Sequence, residues 1–273
     1  MILQTGMRTD IPAFYTPWFL NRLKEGYVLV RSPYAPQRVT RYSLTPYGRE
    51  IEPHVPPKAQ VIENIRALSA AVGPAAVAWR YDPILLNGVY TEERHLAAFE
   101  EMAAALDGCV EVCVISFLDL YQKVRRNFPE AQAVPAALRI RLGREMARIA
   151  KSHHMRLKAC AEGDELAPYG VDCTGCMTME VYEHALHARL TPPPGTVHPG
   201  RKECACYLGG DIGAYDSCGH LCRYCYANSS PEAVRRNRRL HDPASPFLIG
   251  GPLPGDEVRD ARQESWLDGQ LHF

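Results

Sequence analysis

Residues 110–117 read Val110-Glu111-Val112-Cys113-Val114-Ile115-Ser116-Phe117, and this stretch decides the fold. It is short, β-branched and apolar almost without a break, as a strand buried on both faces of a parallel sheet should be. Helical patterns bracket it. Upstream, Thr91 followed by Glu92 and Glu93 opens a helix whose inner face is Leu96, Phe99, Ala103 and Leu106. Downstream, Leu138, Leu142, Met146 and Ile149 mark another. Further out, residues 76–79 and 155–160 read as strands, and Val61, Ile65, Leu68 and Val72 form a helical stripe ended by Gly73-Pro74. Strands alternating with helices predict right-handed βαβ units. The fold class expected is α/β: a partial or open (βα) barrel with parallel strands plus a C-terminal cysteine-rich segment. A flavodoxin-like open sheet is the competing arrangement.

On this reading residues 1–165 are the barrel-like region and 166–273 a cysteine-rich, cluster-binding region packed on it. Near the N-terminus, Thr16 and Pro17 start a helix that Gly26 stops, residues 27–30 form a strand, and the proline-rich stretch 32–57 is an irregular connection.

The chain has 273 residues, with 31 Lys+Arg against 31 Asp+Glu, so its formal net charge is zero. That balance argues against a polycationic nucleic-acid coat and against an acidic tail. No run approaches the roughly 20 apolar residues of a membrane helix, so no membrane partner is expected. The opening MILQTGMRTD has no charged start leading into an apolar core and is not read as a secretory signal. A reducing, cytoplasmic setting is the expectation, and there clustered thiols bind metal more often than they form disulfides.

Cysteines are concentrated late in the chain. Cys109, Cys113 and Cys160 stand apart, whereas Cys173, Cys176, Cys204, Cys206, Cys218, Cys222 and Cys225 crowd together. Within Ser217-Cys218-Gly219-His220-Leu221-Cys222-Arg223-Tyr224-Cys225-Tyr226-Ala227-Asn228, three cysteines take CxxxCxxC spacing. A loop of that length brings three thiolates to three irons of a cubane cluster and leaves the fourth iron open to a small molecule. Zinc is the rival, using Cys173-x-x-Cys176 and Cys204-x-Cys206 with two later cysteines, or His220 as a ligand. Cys204 and Cys206 could equally serve a second cluster, supply a further ligand or merely pack. Cys113 reads as a small core hydrophobe.

Ligands of parallel α/β folds gather beyond the carboxyl ends of the strands. Those ends carry Arg80 and Asp82, then Ser116 and Asp119, then Glu162. Each alone could be a loop residue or helix cap; together they outline a polar floor. His184 and His187 lack the zincin HExxH arrangement and read as solvent-facing or capping. Arg235, Arg236, Arg238 and Arg239 follow a helix start at Ser230-Pro231-Glu232, a basic helix that could hold phosphates or nucleic acid but more often is a solvated face. There is no Walker loop, GxGxxG or GxSxG.

The sequence resembles the bacterial domain of unknown function 1848 family. The matching pieces are Arg8-Thr9-Asp10-Ile11-Pro12-Ala13-Phe14-Tyr15, Trp79-Arg80-Tyr81-Asp82-Pro83, Cys113-Val114-Ile115-Ser116-Phe117 with Asp119 and Tyr121, Cys204-x-Cys206, the run from Asp211 to Ala227, and His241-Asp242-Pro243. The C-terminal cysteines look like the cluster loop of radical S-adenosylmethionine enzymes, in which the open iron chelates the cofactor and a reduced cluster cleaves it to a 5′-deoxyadenosyl radical. The Tyr224-Cys225-Tyr226 ending is locally similar to that of spore photoproduct lyases. Two departures stand out. The loop lies near the C-terminus rather than after the first strand, so it would have to fold back over the barrel mouth. Relatives also carry one further βα unit between the equivalents of Leu44 and Thr45, which this chain lacks.

The leading expectation is therefore an iron–sulfur protein, a radical S-adenosylmethionine-type enzyme of unknown substrate. Cys218, Cys222 and Cys225 would hold a 4Fe-4S cluster, with Cys204 and Cys206 as candidate further ligands. Asp10, Arg80, Asp82, Ser116 and Glu162 would face cofactor, S-adenosylmethionine included, or substrate, and an electron donor would be a partner. The alternatives are a zinc-stabilised structural or nucleic-acid-binding module, and a two-cluster electron-transfer protein using all the late cysteines.

Overall fold

The computed structural model describes residues 40–191, 215–242, 249–251 and 254–255. The expected N-terminal helix and strand, Asp10, Cys204 and Cys206 lie outside the described residues.

Four parallel strands form the centre: β1 (Thr40–Ser43), β2 (Val77–Ile84), β3 (Val112–Phe117) and β4 (Arg156–Ala159). Their order is β1-β2-β3-β4. The register runs Thr40 opposite Val77, Trp79 opposite Cys113 and Cys113 opposite Leu157. Among the described residues the strands follow chain order, an order compatible with an open (βα) barrel. The expected α/β class is what is found.

Helices fill the crossovers. α1 (Lys58–Val72) begins after Pro57 and stops at Gly73, whose φ of 89° is costly for any residue with a Cβ. α2 (Glu92–Leu106) is capped by Thr91, which accepts from the Arg94 amide at 3.3 Å, with Glu92 and Glu93 in its first turn. The short α3 (Gln122–Asn127) precedes α4 (Ala136–Ser152), which packs on α2 as α2 does on α1. The helix stripes meet one face of the sheet: Val61, Ile65, Phe99, Leu106, Leu142 and Ile149 pack on Val77, Trp79, Tyr81, Cys113, Ile115 and Leu157. Trp79 is fully buried, stacks on Phe99 at 4.7 Å between ring centres, and donates its indole N–H to the Leu44 carbonyl at 2.9 Å. Cys113 is a buried core residue as expected.

The alternating residues point to the opposite face. There Val114 packs on Cys176 and Met177, with Val112, Cys160 and Tyr182 around them. The covering segment leads into α5 (Met179–Leu186), and Asp172 pairs with the fully buried Lys158 of β4. Beyond the ends of β2 and β3, a second apolar cluster joins Tyr47, Ile51, Leu85, Tyr90, Leu118, Val124 and Phe128. α6 (Pro231–Arg239) follows the cysteine loop, its Ser230 cap accepting from the Ala233 amide at 3.1 Å. No described helix is long and apolar enough to cross a membrane.

Candidate functional site

Arg80 and Asp82 lie within β2 rather than beyond it, because the strand continues past the expected residues 76–79 to Ile84. Tyr81 still pairs opposite Ile115, and the proline at 83, which cannot donate to the ladder, falls where the register shifts. Both side chains project to the polar face. The Arg80 Nε donates to Asp82 Oδ2 at 2.7 Å, and Ser116 Oγ donates to Asp82 Oδ1. Burial works against the Arg80 charge, but the carboxylate of Asp82 holds the guanidinium firmly protonated. Three of the expected polar residues thus form one hydrogen-bonded unit at the carboxyl end of the sheet.

Glu162 sits to one side. Its carboxylate accepts from the Phe117 amide at 2.8 Å and pairs with Arg139 at 3.2 Å. Burial raises its pKa to about 7 against the pull of those partners, and the charges of Asp119 and Asp82 add to the rise. Such a carboxyl can hold or release a proton near neutrality.

The cysteine loop is laid over this end of the sheet. The Arg223 amide donates to the Ile51 carbonyl at 2.9 Å, and the His54 amide to the His220 carbonyl at 3.2 Å. Tyr224 packs into the second apolar cluster, 5.9 Å from Tyr47, and its hydroxyl donates to Glu52. Glu52 is buried and also accepts from Thr45 Oγ1 at 2.5 Å and pairs with Lys58. Within the loop, the Cys225 amide donates to the Cys222 carbonyl at 3.0 Å and the Asn228 side chain to the Cys218 carbonyl at 2.9 Å. Tyr226, partly exposed, sets its ring 5.7 Å from that of Tyr121, the residue just before α3.

Cys218, Cys222 and Cys225 are each half-buried. Burial raises the Cys222 thiol to about 12, helped by Glu52 and by the neighbouring charges of Cys218 and Cys225. For Cys218 burial works upward as well, but hydrogen bonding to His220 is among the causes that pull its pKa below the ordinary thiol range. Cys222 thus lies within electrostatic reach of both other cysteines of the loop. Among the described residues, however, no three His, Cys, Asp or Glu side chains are grouped to hold a metal ion.

Cys173 and Cys176, the CxxC of the zinc alternative, pack in different places. Cys173 packs against the helix-side core while Cys176 lies on the opposite face beside Cys160. His184 pairs with Glu111 at 2.7 Å, and His187 caps α5 with φ of 51°. On α6, Arg235 pairs with Glu232 at 2.6 Å. Glu52 and the Cys160–Cys176 contact were not legible as site features in the sequence, since neither has a local motif.

The profile of the domain of unknown function DUF1848 matches residues 2–46 and 39–227. The chain belongs to this family. Its DUF1848 match divides at residues 39–46, around the Leu44–Thr45 junction where one βα unit is expected to be missing. It also takes in the cysteine loop through Ala227. Comparison with curated proteins and with solved structures finds no match.

Proposed function

We propose that this DUF1848 protein is an iron–sulfur protein and a radical S-adenosylmethionine-type enzyme, its substrate bound between the cysteine loop and the carboxyl ends of the strands. The observation that carries this reading is the seating of the CxxxCxxC loop: Tyr224 locked to Glu52, and the Tyr226 ring beside Tyr121, just beyond β3. The donor set suits a cluster. Each thiolate of a cubane takes a different iron, so the sulfurs need not converge on one point as single-ion ligands must. Hydrogen bonding to His220 lowers the Cys218 thiol toward the ionised form a ligand needs.

Cys218, Cys222 and Cys225 would hold the cluster, which when reduced supplies one electron to a sulfonium cofactor. The chain's own residues have separable tasks. Arg80 and Asp82 present a fixed cation and anion side by side, suited to a zwitterionic amino-acid end, and Ser116 orients Asp82. Glu162 holds a proton that it can exchange near pH 7. Tyr224, Tyr47 and the apolar cluster around them exclude water from beneath the loop.

The test is electron paramagnetic resonance of the full chain reconstituted with iron and sulfide without oxygen, then reduced with dithionite. A cubane signal that changes on adding S-adenosylmethionine, and that is absent from the Cys218→Ala, Cys222→Ala, Cys225→Ala triple variant, is expected. No cubane signal, or one indifferent to the triple substitution, would reject the reading.

A further inference from the structure

Cys160 and Cys176 take no part in the cluster reading. Their sulfurs lie 3.4 Å apart, with Cys176 donating to Cys160, and both are thiols. Cys160 follows β4, its amide held by the Ile115 carbonyl at 2.9 Å. Cys176 comes from the segment that covers the sheet and is buried against Val114 and Met177. On the other side of Cys160, Arg80 Nη2 donates to its sulfur at 3.4 Å while Nε holds Asp82. Two thiols from separate segments, in sulfur–sulfur contact with a half-buried cation alongside, form a built arrangement. Closing their 3.4 Å gap by roughly 1.4 Å would give a disulfide bond length.

We propose that Cys160 and Cys176 form a reversible two-electron thiol/disulfide centre at the floor of the site, exchanging with small disulfides and linked to Asp82 through Arg80. The inference is independent of the cluster reading and survives its failure. Cys160, half-buried where Cys176 is buried, is the attacking sulfur. Once deprotonated, it attacks one sulfur of oxidised glutathione; a mixed disulfide forms and one glutathione leaves, taking up a proton. The Cys176 thiolate then attacks the Cys160 sulfur, breaking the mixed disulfide and expelling the second glutathione, which takes the second proton. The protein loses two electrons and two protons, and glutathione disulfide becomes two thiols. The contact with Cys176 and burial keep the Cys160 thiol well above its ordinary range, so exchange accelerates as pH rises.

The experiment is equilibration of the full chain, prepared without oxygen, in mixtures of reduced and oxidised glutathione, followed by acid quench, alkylation and non-reducing peptide mapping. The expected product is a peptide joining Cys160 to Cys176, lighter by two hydrogens and reverting in excess reduced glutathione. Cys176→Ser should instead trap glutathione on Cys160, and Cys160→Ser should leave Cys176 open to alkylation after unfolding. Circular dichroism checks that both variants fold, and the unsubstituted chain decides alone if they do not. Both residues still alkylating separately in oxidised glutathione, glutathione stopping on Cys160 in the unsubstituted chain, or a bridge from either residue to a different cysteine would each overturn the proposal.

Discussion

Tyr224→Phe isolates the contact that seats the cysteine loop. Phenylalanine keeps the ring beside Tyr47 and in the second apolar cluster, so packing is preserved and only the hydroxyl is lost. That hydroxyl donates to the buried Glu52 carboxylate, which retains Thr45 and Lys58. A hydrogen bond to a charged group contributes about 1.5–3 kcal/mol, and with two partners remaining the loss should be about 2 kcal/mol. If the loop opens locally, its open population rises roughly 30-fold. The amides of Arg223 and His54, which bridge the loop to residues 51–54, report that opening directly. Native-state hydrogen exchange should therefore quicken by that factor at these two amides and stay unchanged in β3. Unchanged protection at both amides would refute the claim that Tyr224 and Glu52 hold the loop down.

Trp79→Ala empties a fully buried site and breaks the bond to Leu44, and urea titration should give a loss of about 3–5 kcal/mol. Asp172→Asn strands the ammonium of buried Lys158 and should cost about 3 kcal/mol by the same titration, with Lys158→Met milder because no charge is left behind. Two groups act oppositely on stability against pH. Glu162, raised from 4.5 to about 7, binds more protons folded than unfolded, so stability falls by about 3 kcal/mol as pH rises through that window. His95, pushed down from 6.5 to about 4 by burial, is protonated first in the unfolded chain, so stability falls by about 3 kcal/mol as pH drops through its window. Stability profiles of Glu162→Gln and His95→Gln should each lose one limb, and an unchanged slope in either variant contradicts the assignment.

The alternation of elements was legible because local patterns encode it. Residues 110–117 announce a buried strand, and Thr91 with its two glutamates announces the start of α2. β2 reads too short because Pro83 imitates a strand end, whereas the sheet absorbs it at a register shift. The polar floor of Arg80, Asp82 and Ser116 followed from topology alone, since alternate residues at strand ends must share a face. Glu52 did not, because its partner Tyr224 stands 172 positions away. Nor did the sulfur contact of Cys160 and Cys176, which exists only because a segment crosses the sheet. Nor does the CxxC spacing of Cys173 and Cys176 reveal that the two residues pack in clusters on opposite faces.

Metal and acid-labile sulfide counted per chain, in material reconstituted and desalted without oxygen, test the central claim most directly. About four irons and four sulfides per chain are predicted, falling toward zero when Cys218, Cys222 and Cys225 are all replaced by Ala. About one zinc with no iron, or iron that stays bound to the triple variant, would contradict it.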